Sequence, residues 1–128
     1  MTLSEEIKNS NYVIFKSASL KEAMAAITYN RRGCIVVVDD DWTLFGVISD
    51  GDLRRAMLRG ATEYTPVEKF TNLNPIVINN DDKATLESPD VFLKKHYGLN
   101  VIPVVDKNNN LVDVLVKDGF YKNNNSHD

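Results

Sequence analysis

Ser49 and Asp52 are the residues whose types and spacing most favour ligand chemistry in this chain. Residues three apart at a helix start face one direction, so the hydroxyl and the carboxylate can reach the same ligand. The unpaired N–H groups of that helix start favour a nearby phosphate, and Gly46 lets a ligand approach the preceding strand without a Cβ in the way. The same spacing is also common as helix capping alone, so a purely structural interpretation stands beside this one.

Three arginines follow on the predicted helix, at positions 54, 55 and 59. Arg54 or Arg55 could reach a phosphate bound at the start of their own helix, or all three could form a solvated helix face. Arg55 lies three residues after Asp52 and shares its helix face, which favours Arg55 for the phosphate role.

The remaining candidates for chemistry favour neither catalysis nor a metal site. The sequence contains no nucleophile–base–orienter set, P-loop or dinucleotide fingerprint, so we predict that the chain is not an enzyme. His96 and His127 are isolated, and residues 39–41 are acidic without the alternation of a calcium loop, so we predict no metal site. Cys34 precedes an apolar run and is expected in the core or in a cleft wall.

Composition excludes several classes of function. The net charge is -3, with 43% hydrophobic and 26% charged residues, which gives no reason to expect a nucleic-acid partner. A single cysteine excludes an internal disulfide. No apolar run is long enough to span a bilayer, and the N-terminus lacks the pattern of a signal peptide, so no membrane association is predicted and the cytoplasm is the expected location.

The chain repeats itself. Residues 34–39 read CIVVVD and residues 101–106 read VIPVVD, an offset of 67, whereas residues 11–15 correspond to 74–78 at an offset of 63. The difference, 67 − 63 = 4, predicts four extra residues within 79–85 of the second copy. Two copies of one motif explain the pattern better than one irregular domain.

Each copy predicts the same order of elements. In copy one, Ser19 and Glu22 form a capping box, and the helix they begin should end near Gly33. In copy two, Thr65 and Pro66 should open a linking helix through residue 70. The other predictions are strands at 12–15, 35–38 (buried on both faces) and 44–48, a helix at 49–59 ended by Gly60, strands at 75–78, 101–105 and 111–116, a helix at 88–96, and a last helix after Asp118 that is short or absent.

The fold class is therefore predicted as α/β, with two pseudo-symmetric βαββα units packed face to face because neither buries enough surface alone. The first repeat should span residues 1–62 and the second 63–121. Residues 122–128 are polar and should form a frayed, disordered tail.

Residues 37–39 read Val-Val-Asp, and residues 46–52 read Gly-Val-Ile-Ser-Asp-Gly-Asp. This pattern, within a duplicated unit, resembles the signature of cystathionine-β-synthase (CBS) domains from about residue 7 to residue 120. The run from Ser49 to Gly60 is similar to CBS pairs fused to sugar-phosphate nucleotidyltransferases or sugar-phosphate isomerases.

The resemblance implies a cleft between the units that binds an adenine nucleotide (AMP, ADP or ATP) as a regulatory ligand rather than a catalytic cofactor. Asp52 would accept two hydrogen bonds from the ribose diol, and Ser49 would bind beside it. The adenine would contact the strand around Asn74 to Ile78, and the starts of the central strands would close the cleft. The predicted site residues are Gly33, Cys34, Gly46, Ile48, Ser49, Asp52, Arg55, Asn74, Ile76, Ile78, Asn100 and Val101.

Copy two departs from the motif at the three positions that correspond to Gly46, Ser49 and Asp52. The offset of 67 places Asp113, Val116 and Gly119 where copy one has Gly46, Ser49 and Asp52. One occupied site per chain is therefore expected.

The leading prediction is a ligand-sensing regulatory module; the alternative is a structural dimerisation module with an empty cleft. The resemblance also implies a homodimer formed through helices. It further implies a regulated sugar-phosphate nucleotidyltransferase or isomerase, either fused to the chain or separate.

Overall fold

The computed structural model describes residues 5–8, 10–117 and 119–120. These residues form two sheets, each with helices against it. The elements are α1 (Glu5–Lys8), β1 (Val13–Phe15), α2 (Leu20–Asn30), β2 (Cys34–Val38), β3 (Leu44–Ser49), α3 (Asp50–Leu58), a 3-10 turn (Val67–Phe70), β4 (Ile78–Asn79), α4 (Lys83–Glu87), α5 (Pro89–Lys95), β5 (Val101–Val105), β6 (Leu111–Val116) and β7 (Gly119–Phe120).

The first unit is a three-stranded sheet in the order β1-β2-β3, with β1 parallel and β3 antiparallel to β2. Its central strand is buried on both faces, as predicted. Ile35 and Val37 pack into the core beneath α2 and α3, while Val36 and Val38 pack into a cluster that the two units share.

Helices α2 and α3 of the first unit begin as predicted, with capping boxes at Ser19 and Ser49. The Ser19 side chain accepts a hydrogen bond from the Glu22 backbone N–H at 3.2 Å, and the Glu22 carboxylate accepts one from the Ser19 N–H at 3.4 Å. The end of α2 differs, because the helix stops at Asn30 rather than near Gly33. Arg31 turns into the left-handed region (φ 58) and donates its N–H to the Ile27 carbonyl, which closes the last turn.

The second unit is a four-stranded sheet in the order β4-β5-β6-β7. Strands β5 and β6 are confirmed, but the first predicted strand is reduced to two residues. Pro75 has no N–H for a sheet ladder, and the N–H of Asn74 bonds to the Asn72 side chain instead, at 3.0 Å.

The helical parts of the second unit also differ from the prediction. An additional helix, α4, occupies part of the predicted insertion. Ser88 breaks the helical path (φ -137), because a residue before proline disfavours the helical region, and α5 then starts at Pro89 as predicted. The linking helix ends at Phe70 as predicted, but it is a 3-10 turn that begins at Val67, and the extended Pro66 occupies the N-cap position that was predicted for Thr65.

A short strand, β7, follows β6 at the position where the last helix was predicted to be short or absent. Gly119 pairs with Val116 and Phe120 with Leu115 in an antiparallel hairpin. Asp118 and the tail predicted to be disordered (122–128) lie outside the described residues.

The two units pack face to face, which confirms the predicted fold class. Val36 and Val38 of the first sheet share a buried cluster with Val101, Val114 and Val116 of the second. The predicted boundary after residue 62 stays a prediction.

The turns of the two units exchange backbone hydrogen bonds. The Leu44 N–H donates to the Asn109 carbonyl at 2.9 Å, and the Leu111 N–H donates to the Trp42 carbonyl at 3.0 Å. Trp42 and Asn109, 67 residues apart, have matching left-handed φ values of 68 and 67. The pseudo-symmetry therefore extends to individual hydrogen bonds.

Candidate functional site

A cleft of about 430 Å³ lies where the start of α3 meets the starts of β2 and β5. It combines residues of both units, as expected for an inter-repeat site. Six of the predicted site residues line it: Gly33, Cys34, Ser49, Asp52, Asn100 and Val101. The other lining residues were not predicted: Arg32, Val47, Asp50, Gly51, Asn72, Gly98 and Leu99.

Asn30, which no local sequence pattern predicts, supports one wall of this cleft through its bonds to Cys34 and Arg32. Its side chain is buried, donates to the carbonyls of Asn11 (2.7 Å) and Cys34 (3.1 Å), and accepts from the Arg32 N–H (2.7 Å). The Asn100 side chain then donates to the Arg32 carbonyl at 3.0 Å and joins the two units. These bonds hold the loop before β2 against the start of β5.

The start of α3 forms the opposite wall. The Ser49 hydroxyl oxygen accepts from the Asp52 N–H at 3.1 Å, and the Asp52 carboxylate accepts from the Ser49 N–H at 3.0 Å and from the Arg55 guanidinium at 2.7 Å. The Asp50 N–H donates to the Gly33 carbonyl at 2.9 Å, which ties the helix start to the loop before β2. A carboxylate has about four acceptor positions, so about two remain for a ligand.

Cys34 lies in the cleft wall, where burial raises the pKa of its thiol to about 11, against an ordinary value of 9.0. Backbone N–H groups of Val101 and Asn100 partly oppose that increase in pKa. The thiol is therefore protonated at neutral pH and has the character of a small apolar wall residue.

Gly46 has a different neighbour from the one expected. A Cβ at this position would clash with the Asn72 carbonyl and lie 2.6 Å from the Thr71 methyl carbon. Val47 and Asn72 exchange two backbone hydrogen bonds, of 3.1 and 2.9 Å. The backbone of residues 71–72 (the linking segment), rather than a ligand, therefore approaches this glycine, and Asn72 reaches the cleft.

The other predicted residues lie outside the cleft wall. Ile48 is buried in the core of the first unit and Ile78 in that of the second. Asn74 is exposed and Ile76 is 44% exposed. Arg55 lies on the flank of α3, where it pairs with Asp52.

The acidic turns form local hydrogen bonds, in agreement with their predicted role as turns. Asp41 accepts from the Thr43 hydroxyl at 2.7 Å, and this bond lowers the pKa of Asp41. Asp106 accepts from Asn110, which lowers its pKa in the same way. Within residues 5–8, 10–117 and 119–120, no cluster of three or more His, Cys, Asp or Glu could hold a metal ion, and no helix is both long and apolar enough to cross a membrane.

The counterpart positions in the second unit have a different structure. Val116 is fully buried, and the Asp113 carboxylate accepts from the neighbouring Val114 N–H at 2.8 Å. Gly119 belongs to the β6–β7 hairpin, where the first unit has the start of α3. These residues therefore do not reproduce the helix-start arrangement of Ser49 and Asp52.

A family model of the CBS domain matches residues 5–59. The crystal structure of CBSX2 in complex with AMP superimposes with a TM-score of 0.66 and 26% identity, covering 87% of this chain and 84% of that one; CBSX2 is a CBS-pair protein from Arabidopsis thaliana. Residues 5–59 therefore match the CBS domain family, and the fold of the chain is that of a CBS pair.

Two curated relatives show in what setting similar pairs occur. An uncharacterized protein of Helicobacter pylori strain J99 is 36% identical over 103 residues, which cover 80% of this chain and 31% of the relative. Arabinose 5-phosphate isomerase GutQ of Escherichia coli strain CFT073 is 28% identical over 106 residues, or 83% of this chain and 32% of the relative. The chain thus spans about a third of the length of these relatives. The predicted similarity to CBS pairs of sugar-phosphate isomerases is confirmed, whereas the nucleotidyltransferase link stays a prediction.

Proposed function

We propose that this chain is a regulatory module that binds one adenine nucleotide in the cleft between its two units. The observation that carries the proposal is the start of α3, where Ser49 and Asp52 line a cleft that both units build. CBSX2, which shares the fold at 26% identity, has been solved in complex with AMP. The ligand is AMP, ADP or ATP.

The chemistry of the cleft suits a nucleoside. The two acceptor positions that remain on Asp52 match the two hydroxyls of a ribose. The Ser49 hydroxyl accepts the Asp52 N–H and keeps its own proton to donate to a ligand. Val47, Cys34 and Val101 add apolar surface for a base. Catalysis is not part of this proposal.

Regulation follows from the position of the cleft. A ligand that contacts both units favours the packing in which those contacts form, and it shifts a partner only by its difference in affinity between two packings. We infer that the partner is a sugar-phosphate isomerase, fused or separate, because GutQ contains a similar segment.

The two capping boxes supply a matched test. Ser49→Ala and Ser19→Ala each remove an N-cap hydroxyl and should each cost about 1 kcal/mol of stability. Only Ser49 lines the cleft, so only Ser49→Ala should also weaken AMP binding in calorimetry, and Asp52→Ala should weaken it by about 1.5–3 kcal/mol. Two equal sites per chain, or AMP affinities unchanged by Ser49→Ala and Asp52→Ala, would contradict the proposal.

Self-association is a second function that the surface favours. Met24 and Tyr29 on α2 and Met57 and Leu58 on α3 are 40%, 76%, 43% and 82% exposed. We propose that these helices contact a second copy of the chain, because a symmetric interface pairs the same apolar patch with itself. Light scattering should give a dimer mass at tens of micromolar protein. Replacement of Leu58 by a charged residue should reduce that mass to the mass of a monomer.

A further inference from the structure

A second cavity runs along the flank of α3, next to the cleft. This α3 groove has a volume of about 670 Å³ and lies between α3, the 3-10 turn and the linking segment. Residues of one face of α3 line it, since positions 52, 55 and 59 follow the helical repeat. Its polar lining includes Asp52, Arg55, Arg59, Thr65 and Lys69.

The charge of the α3 groove suits an anion. Arg55, Arg59 and Lys69 supply three positive charges and Asp52 one negative charge, a balance of 3 − 1 = +2. Asp52 is already paired with Arg55 at 2.7 Å. Within the part of the chain that the structure describes, Arg59 and Lys69 have no carboxylate within ion-pair distance. Two cations are therefore left to bind a ligand.

The α3 groove continues from the cleft. Asp52 and Asn72 line both cavities. The Arg55 guanidinium lies beside Gly51, with one nitrogen 3.2 Å from the position of a Cβ on that glycine, and Gly51 lines the cleft. Arg55 thus stands at the boundary, and Arg59 follows about 10 Å further along the helix axis than Asp52.

We propose that the α3 groove binds the phosphate chain of the nucleotide whose ribose contacts Asp52, so that the module distinguishes ADP and ATP from adenosine. The inference rests on the proposed nucleotide site. Asp52 would repel a phosphate chain if it stood alone, and Arg55 offsets that charge. Arg59 and Lys69 then contact the outer phosphates, which only the di- and triphosphates possess.

Calorimetry with adenosine, AMP, ADP and ATP tests the inference. In the wild type, affinity should rise along the series, and the increase should shrink as salt screens the exposed charges. Arg59→Gln and Lys69→Gln should each weaken ATP binding about tenfold, as expected for loss of a charged hydrogen bond, and leave adenosine binding unchanged. Arg54→Gln is the matched control, since Arg54 is on the same helix but not in the lining of the groove, and it should behave as the wild type.

Each other outcome identifies what has failed. Equal affinities for adenosine and ATP would overturn the phosphate role and leave the nucleotide site standing. An increase along the series that survives in both variants would also overturn it, because other residues would then contact the phosphates. Binding of none of the four compounds would overturn the proposed function itself.

Discussion

Ser49 and Asp52 show how one local pattern serves two purposes. Their side chains cap α3 through two reciprocal hydrogen bonds, and the same bonds fix both side chains at the edge of the cleft. Capping uses part of the carboxylate, and Arg55 uses another part. A ligand bound in the cleft would therefore meet a carboxylate whose rotamer is already set, which lowers the entropy lost on binding.

The reactivity of the Cys34 thiol should follow its burial in the cleft wall. Because burial raises the pKa of its thiol from 9.0 to about 11, alkylation of the folded protein should increase with pH up to about 11. In urea, where the chain is unfolded, the midpoint pH of alkylation should be near the ordinary value of 9.0. The unfolded chain loses this proton first, so the thiol lowers stability as pH rises from 9 to 11. A folded-state midpoint below 9 would contradict this account and indicate an activated thiol.

The residues of the site were predictable to different degrees. Ser49 and Asp52 carry a local signal, and the resemblance to CBS domains implied the starts of β2 and β5. Asn30 and Asn72 carry no such signal, because their roles depend on segments that approach from elsewhere in the chain. Asn30 bonds to Asn11, for example, 19 positions away.

The elements of the first unit match their predictions closely because the starts of α2 and α3 are fixed by hydrogen bonds between residues three apart. The second unit follows less closely. Strand β4 depends on pairing with β5, and the hairpin that ends the unit depends on β6. Strand β4 is set by a partner distant in sequence, and β7 is set by its hairpin with β6, so the pattern within either strand does not determine its length.

Strand β3 and the linking segment meet at Gly46. A Cβ would clash with the Asn72 carbonyl, and backbone on both sides prevents relief. Gly46→Ala should therefore cost about 1–3 kcal/mol of stability, the usual range for overpacking. Gly98→Ala is the control, since a Cβ there meets nothing within 4 Å, and urea unfolding should show little change. Equal stabilities of the two variants would contradict the close approach.

The whole molecule is held together by pairs of equivalent contacts. The offset of 67 relates not only strands but also the turn bonds from Leu44 to Asn109 and from Leu111 to Trp42. Val36 and Val38 of β2 share a buried cluster with Val101 of β5 and with Val114 and Val116 of β6. Separation of the two units would expose this apolar surface to water, so neither unit is expected to be stable alone.

The two units should therefore unfold together. Trp42, the single tryptophan, packs edge-on against Phe15 at 4.9 Å and reports on the first unit. Leu115 is fully buried in the core of the second unit. Leu115→Ala should cost about 2–5 kcal/mol, and it should shift Trp42 fluorescence and circular dichroism to the same lower urea midpoint. Leu20→Ala, in the core of the first unit, is the reciprocal variant and should shift both signals together. If the urea midpoint of Trp42 fluorescence is unchanged in Leu115→Ala while circular dichroism shows two separate transitions, the units unfold separately.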